Sequence, residues 1–133
     1  MSNLATVQAI YEAFSRGDFD AVLAYCVESP EWEYGSSSTN VPWLRRQISP
    51  EGAVANMRSS IGDIEIQKFV PKAMLEGEGV VAVLLDIEFI VKKTGKRVEE
   101  VDAVQLWRFN DAGQVTQFRQ RVDTHQQELA YNG

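Results

Sequence analysis

VVAVLLDIEFIV (residues 80–91), RVEEVDAVQLWRF (97–109) and QVTQFRQRV (114–122) are three tracts rich in branched and aromatic residues. With IEIQKFVPKAML (64–75) before them, they read as four β-strands. The segments between them, EGEG (76–79), KTGK (93–96) and NDAG (110–113), are short and carry glycine, so each fits a hairpin and the strands form an antiparallel meander. Upstream the period changes. Leu4, Val7, Ile10, Tyr11 and Phe14 recur every three or four residues, the stripe of an amphipathic helix opened by Ser2 or Asn3 and closed by Gly17. Asp18 caps a second helix whose buried side is Ala21, Val22, Tyr25 and Cys26, ended by Ser29-Pro30. Ser49-Pro50-Glu51 starts a third, running to Gly62. Between them, EWEY (31–34) alternates acid with aromatic and reads as a strand with its rings inward. Helices first and strands afterwards give an α+β class. The expected architecture is three N-terminal helices packed on a strongly curved, mainly antiparallel sheet, a cone with an internal cavity.

The chain has 133 residues, 44% hydrophobic and 24% charged, and a net charge of −6, which predicts one small acidic domain over 1–133 with ample core material. Residues 124–133 are polar and read as a loosely held tail. With 19 acids against 13 bases there is no concentrated cationic footprint, so nucleic acid is not an expected partner. A single cysteine, Cys26, allows no internal disulfide. The opening residues MSNLATVQ lack a basic, apolar leader, and no run reaches the roughly 18 to 20 apolar residues that span a bilayer, so no membrane association and a cytoplasmic location are expected.

The tracts YEAFSRGDFD (11–20), EWEY (31–34), SPEG (49–52), WRFNDAGQV (107–115) and FRQRVDT (118–124) together resemble the nuclear transport factor 2-like superfamily, in its SnoaL-like, ketosteroid-isomerase-like branch. The resemblance spans nearly the whole chain in the family's order. It implies the cone scaffold, a small hydrophobic molecule as guest, and a homodimer. Isomerases, polyketide cyclases, epoxide hydrolases and non-catalytic binding proteins share that scaffold, so function must be argued from the site. The family's catalytic groups are replaced here. Tyr34 stands where the isomerases carry their proton-shuttling carboxylate. Ile10 and Gln105 stand at the positions of their oxyanion-hole tyrosine and aspartate, and Gln120 at that of the last-strand aspartate of the cyclases and hydrolases. Leu84 and Asp86 occupy the places of the hydrolases' arginine and aspartate.

Strand alternation, phased by the resemblance, turns Ala103, Gln105, Trp107, Phe118, Gln120 and Val122 inward and Arg119 and Arg121 outward, toward a ladder with acidic neighbours. Two neutral amides among rings suit a weakly polar guest, or bond each other or a buried water. Asp86 and Glu88 share one face of their strand. Patterning sends them outside, whereas a symmetric loop centred on Thr94 and Gly95 would bring Asp86 beside Ala103 and Gln105. Inside, Asp86 would be the best general base, with the phenol of Tyr34 as donor. The expected ligand contacts are Ile10, Phe14, Trp32, Met57, Ile61, Gln105, Trp107, Phe118 and Gln120. The loop Gly35 to Gln47 carries Trp43 and Leu44, which either close over a ligand or pack under their own loop. His125, with Asp123 two residues earlier, continues an outward face and reads as solvated; Cys26 reads as an inert core thiol. No residue cluster has metal-site spacing and no glycine loop suits phosphate, so neither metal nor cofactor is expected. The function that follows is a small-molecule pocket protein with isomerase- or cyclase-type proton transfer, the alternative being a non-catalytic binding or dimerisation module.

Overall fold

Ser2 accepts a hydrogen bond from the Ala5 N–H at 3.1 Å and so starts the first helix, α1 (Asn3–Ser15), which buries Val7, Ile10 and Ala13. Gly17, at φ +70°, supplies the left-handed residue that ends it. The structure, a computed structural model, describes residues 1–35, 38–45 and 49–133, leaving aside the side chains of residues 56 and 59–61. Asp18 caps α2 (Phe19–Ala24), which is followed by β1 (Cys26–Glu33) and, after a short 3-10 turn at Pro42–Leu44, by α3 (Pro50–Gly62). The meander is β2 (Ile64–Gly77), β3 (Val80–Val91), β4 (Arg97–Phe109) and β5 (Val115–Arg121), and the chain closes with α4 (Thr124–Asn132). The sheet order is β1-β5-β4-β3-β2, antiparallel except for β1 alongside β5. Curved but not closed, the sheet packs against the three N-terminal helices as a cone, the expected α+β class.

Two sequence expectations are corrected. The second helix stops at Ala24, and Cys26 belongs to β1, because the Tyr25 carbonyl accepts the Val115 N–H at 2.9 Å and Cys26 pairs with Val115. Pairing with a distant strand overrides a weak local helical pattern. Pro30 is tolerated within this strand because β1 is an edge, with its register broken between Cys26 and Glu31. The other correction is the tail: residues 124–132 form a helix, not a loose end. Asp123 caps it by accepting the Gln126 N–H at 3.0 Å, and Gln127 and Ala130 are buried. Thr94 donates its hydroxyl to the Ala130 carbonyl at 2.6 Å, and the Lys93 ammonium lies 4.1 Å from the centre of the Tyr131 ring.

The first hairpin turn, Glu78-Gly79, has both residues at positive φ (51° and 74°), the two-residue geometry matched to strand twist. Between β3 and β4 the loop is Lys92–Gly95, with the Val91 N–H donating to the Lys96 carbonyl at 2.8 Å. It is therefore centred between Lys93 and Thr94, one residue off a centre at Thr94-Gly95. Further along, the register shifts: Ile87 faces Glu100 while Leu85 faces Ala103, so Val101 and Asp102 bulge out of β4. Asp102 adopts a left-handed conformation, φ +59°, which a short polar side chain tolerates.

Candidate ligand cavity

Aromatic rings build one wall. Trp32 of β1 stacks on Phe118 of β5 (centroids 4.7 Å apart, planes 28°) and stands edge-on to Trp107 of β4 at 5.5 Å. Tyr34 meets Phe118 edge-on at 5.1 Å. These contacts follow from register, because Trp32 pairs with Phe118 and Phe118 with Trp107 on neighbouring strands. From α1, Ile10, Tyr11 and Phe14 complete this side, and Met57 comes from α3. The hollow, partly open to the outside, measures about 70 Å³. That is room for several water molecules, well under the roughly 300 Å³ at which pockets enclose drug-sized ligands. Ile10, Phe14, Trp32, Tyr34, Met57, Gln105, Trp107, Phe118 and Gln120 all line it, whereas the side chain of Ile61 lies outside the described residues.

A chain of hydrogen bonds crosses this wall. The Trp107 Nε1–H donates to the Tyr11 hydroxyl (3.2 Å), which donates to Gln105 Oε1 (2.6 Å). Gln105 Nε2 donates to Gln120 Oε1 (2.8 Å), and Gln120 Nε2 to the Tyr34 backbone carbonyl (2.9 Å). The two glutamines bond each other, and each amide nitrogen keeps a second N–H with no partner among the described residues. Tyr11 was not among the sequence candidates. It sits one residue beyond Ile10 in the same helical stripe, and burial pushes its phenol well above the usual range, so it stays protonated as a donor. The Trp32 Nε1–H has no hydrogen-bond partner among the described residues, and the ring makes T-shaped contacts with Tyr34 and Trp107.

Asp86 does not belong to this cavity. β3 alternates strictly, with Val81, Val83, Leu85, Ile87, Phe89 and Val91 buried and Asp86 and Glu88 on the outer face. There Asp86 pairs with Lys72 at 2.9 Å and accepts the Asp102 N–H at 3.2 Å. The hydrogen bond from Lys72, seconded by that from Asp102, holds its carboxyl below the usual carboxylate value. The sequence-derived role of Asp86 as an internal base is thereby withdrawn. Arg119 and Arg121 also face outward, 3.5–3.7 Å from Glu31 and Glu33, in the expected cross-strand ladder. His125 is exposed in the first turn of α4, and Asp123 serves as the cap of that helix. Burial pushes the Cys26 thiol up to about 12, so it is unreactive at neutral pH.

Glu100 is the carboxylate that does line the cavity, and the sequence reading missed it. Counting back by twos from Ala103 puts Val101 and Glu99 inside. The bulge inverts the phase, so Val98 and Glu100 face inward and Val101 is 74% exposed. Both carboxylate oxygens accept the Asp123 N–H, at 2.9 and 3.1 Å. Burial raises the Glu100 carboxyl, an effect only partly offset by that hydrogen bond. Trp43, from the 3-10 turn, lines the same cavity, is 3% exposed, stands edge-on to Phe89 at 6.0 Å and donates its Nε1–H to Gln127 Oε1 at 2.8 Å. Trp43 is thus a wall residue pinned under α4. Of the predicted Gly35–Gln47 loop, residues 36–37 and 46–47 lie outside the described residues. Among the described residues no group of His, Cys, Asp and Glu could hold a metal, and no helix is long and apolar enough to cross a membrane.

A sequence profile of the SnoaL-like domain matches residues 7–118, most of the chain. The chain belongs to the SnoaL-like domain family. No curated protein matches it. Similar solved structures include an NTF2-like protein of unknown function from Burkholderia pseudomallei, with TM-score 0.85, 24% identity and full coverage of both chains. TerC co-crystallised with polyporic acid superposes with TM-score 0.77 at 19% identity, over 98% of each chain. A protein provisionally named a SnoaL-like polyketide cyclase, from Mesorhizobium loti, gives TM-score 0.71 and 16% identity, covering 90% of this chain and 98% of its own. At these identities the likeness shows the SnoaL-like fold shared by chains of different names.

Proposed function

We propose that this SnoaL-like chain binds a small, hydrophobic, weakly polar molecule in the cone. The observation that carries the reading is the hydrogen-bonded chain from Trp107 to Tyr34 set into an aromatic wall, with one spare N–H on each of Gln105 and Gln120. Such a wall favours a guest of about one ring bearing a neutral oxygen acceptor, since an ion there would lose its hydration without a counter-charge. Acetophenone and ethylbenzene, which differ by one carbonyl, are suitable probes. Acetophenone should bind several-fold more tightly by calorimetry, and Gln105→Leu/Gln120→Leu should erase the difference while keeping ethylbenzene binding. Equal affinity of the two for the wild type would refute the role of the amides.

Isomerase- or cyclase-type proton transfer, with the Tyr34 phenol as donor, is the chemistry such a guest would undergo. The polyketide-cyclase name of the Mesorhizobium loti neighbour supports that class. Undiminished turnover in Tyr34→Phe would remove the assignment. A binding role without catalysis is favoured by Tyr11, which is held protonated, and by the location of Asp86 on the outer face. We also propose that two copies pair through the outer face of the sheet, where Val70 and Leu75 of β2 are 44% and 59% exposed.

A further inference from the structure

The end of the cavity beneath α4 differs chemically from the aromatic wall. Among the described residues Glu100 lines it without an ion-pair partner, and none of the described lysines, arginines or histidines lines the cavity. Its only described donor is the Asp123 N–H, shared between two oxygens that together offer about four acceptor sites. Gln127 lies one helical turn after Asp123, about 6 Å further along the same face of α4. Its Oε1 accepts from Trp43 and retains a second lone pair. Trp43 and Phe89 line the same cavity, Ile87 pairs across the strands with Glu100, and Phe89 follows two residues later. The group is held firmly. Glu99 and Gln126 exchange two hydrogen bonds at 3.1 Å, Glu99 N–H to Gln126 Oε1 and Gln126 Nε2 to the Glu99 carbonyl, which fix the first turn of α4 on β4 beside Glu100.

An uncompensated carboxylate, an amide oxygen and two aromatic rings converge on one guest chemistry. We propose that this end of the cavity is a cation subsite, Glu100 with Gln127, Trp43 and Phe89, which takes the protonated amine of a small aryl- or alkylamine whose apolar part occupies the hollow. An ammonium group supplies three donors and a positive charge. The carboxylate bond is then charge-assisted, and the rings add cation–π attraction. A hydroxyl supplies one donor and no charge. The net charge of −6 adds a general attraction for cations, which the test must separate from the subsite.

This inference rests on the cavity reading above and adds to it a cationic end for the guest, at Glu100 and away from the amides of Gln105 and Gln120. The test is calorimetric titration at pH 7.5 with 2-phenylethylamine, 2-phenylethanol and ethylbenzene, in a buffer without amines. The amine should bind at least ten-fold more tightly than the alcohol. Glu100→Gln should bring that ratio close to one, with the larger loss falling on the amine, while Glu99→Gln, which removes an equal charge from the exposed neighbour, should leave the ratio intact. An alcohol that binds as well as the amine, or a ratio lowered equally by both variants, overturns the subsite and spares the cavity. If none of the three probes binds, ethylbenzene included, the cavity reading falls and takes the subsite with it.

Discussion

Glu100 is where residue chemistry and strand geometry meet. Its carboxyl is raised chiefly by burial, with the negative charge of Asp123 adding to the effect and the Asp123 N–H opposing it. A carboxyl raised in the folded state favours folding most at low pH, below its ordinary value of 4.5, and loses that contribution as pH rises through the folded value. At neutral pH its charge is therefore a cost to the fold. Glu100→Gln keeps an acceptor for Asp123 and removes the charge, so the variant's Tm relative to wild type should be higher at pH 7.5 than at pH 4. Thermal unfolding at the two values checks this; a relative Tm that is unchanged or lower at pH 7.5 would contradict it. Asp86 has the opposite sign. Held low by Lys72, it contributes stability above its ordinary value of 3.8 that is lost as pH falls through its folded value. Most of the ring and amide lining was legible from alternation along β4 and β5, phased by the family resemblance. Glu100 was not, because a single extra residue at Val101-Asp102 reverses which side chains point inward, and no local sequence pattern fixes a bulge.

At the scale of elements, α4 shows how a polar composition conceals a packed helix. Gln127, Ala130 and Tyr131 pack against the core, at the spacing of one helical face, and a glutamine is a weak apolar signal. The burial becomes visible only with its partner, the Trp43 indole, which is 84 residues away in sequence. Replacing Gln127 with leucine removes the acceptor that the buried Trp43 N–H has in Gln127, a loss of about 1–3 kcal/mol. Urea unfolding should show a correspondingly lower midpoint, whereas an unchanged midpoint would mean that the hydrogen bond contributes nothing. The early end of α2 teaches the same lesson. Tyr25 and Cys26 suit a helix locally, and pairing with Val115 decides against it. By contrast, α1 and α3 were readable because their caps, Ser2 and Ser49, act within four residues of the groups they bind.

For the whole molecule, the curled sheet presents two unlike surfaces. Its inner face carries rings and amides, and its outer face carries the Lys72–Asp86 pair with exposed Val70 and Leu75 toward the β2 edge and the arginine ladder toward the β1 edge. Pairing of two copies over that outer face predicts a sedimentation mass near twice 14.9 kDa at micromolar concentration, reduced to the monomer by Leu75→Arg/Val70→Arg. A wild-type monomer at that concentration would contradict it. Function depends on the inner face retaining a real void, since without one neither amide nor carboxylate has a guest to meet. A crystal held under xenon pressure probes this most directly, because xenon settles where a void is walled by apolar side chains. The predicted result is a xenon atom among Ile10, Trp107 and Phe118, with the protein otherwise unmoved. A cone interior with no xenon density, filled by its own side chains, would contradict the ligand-binding role.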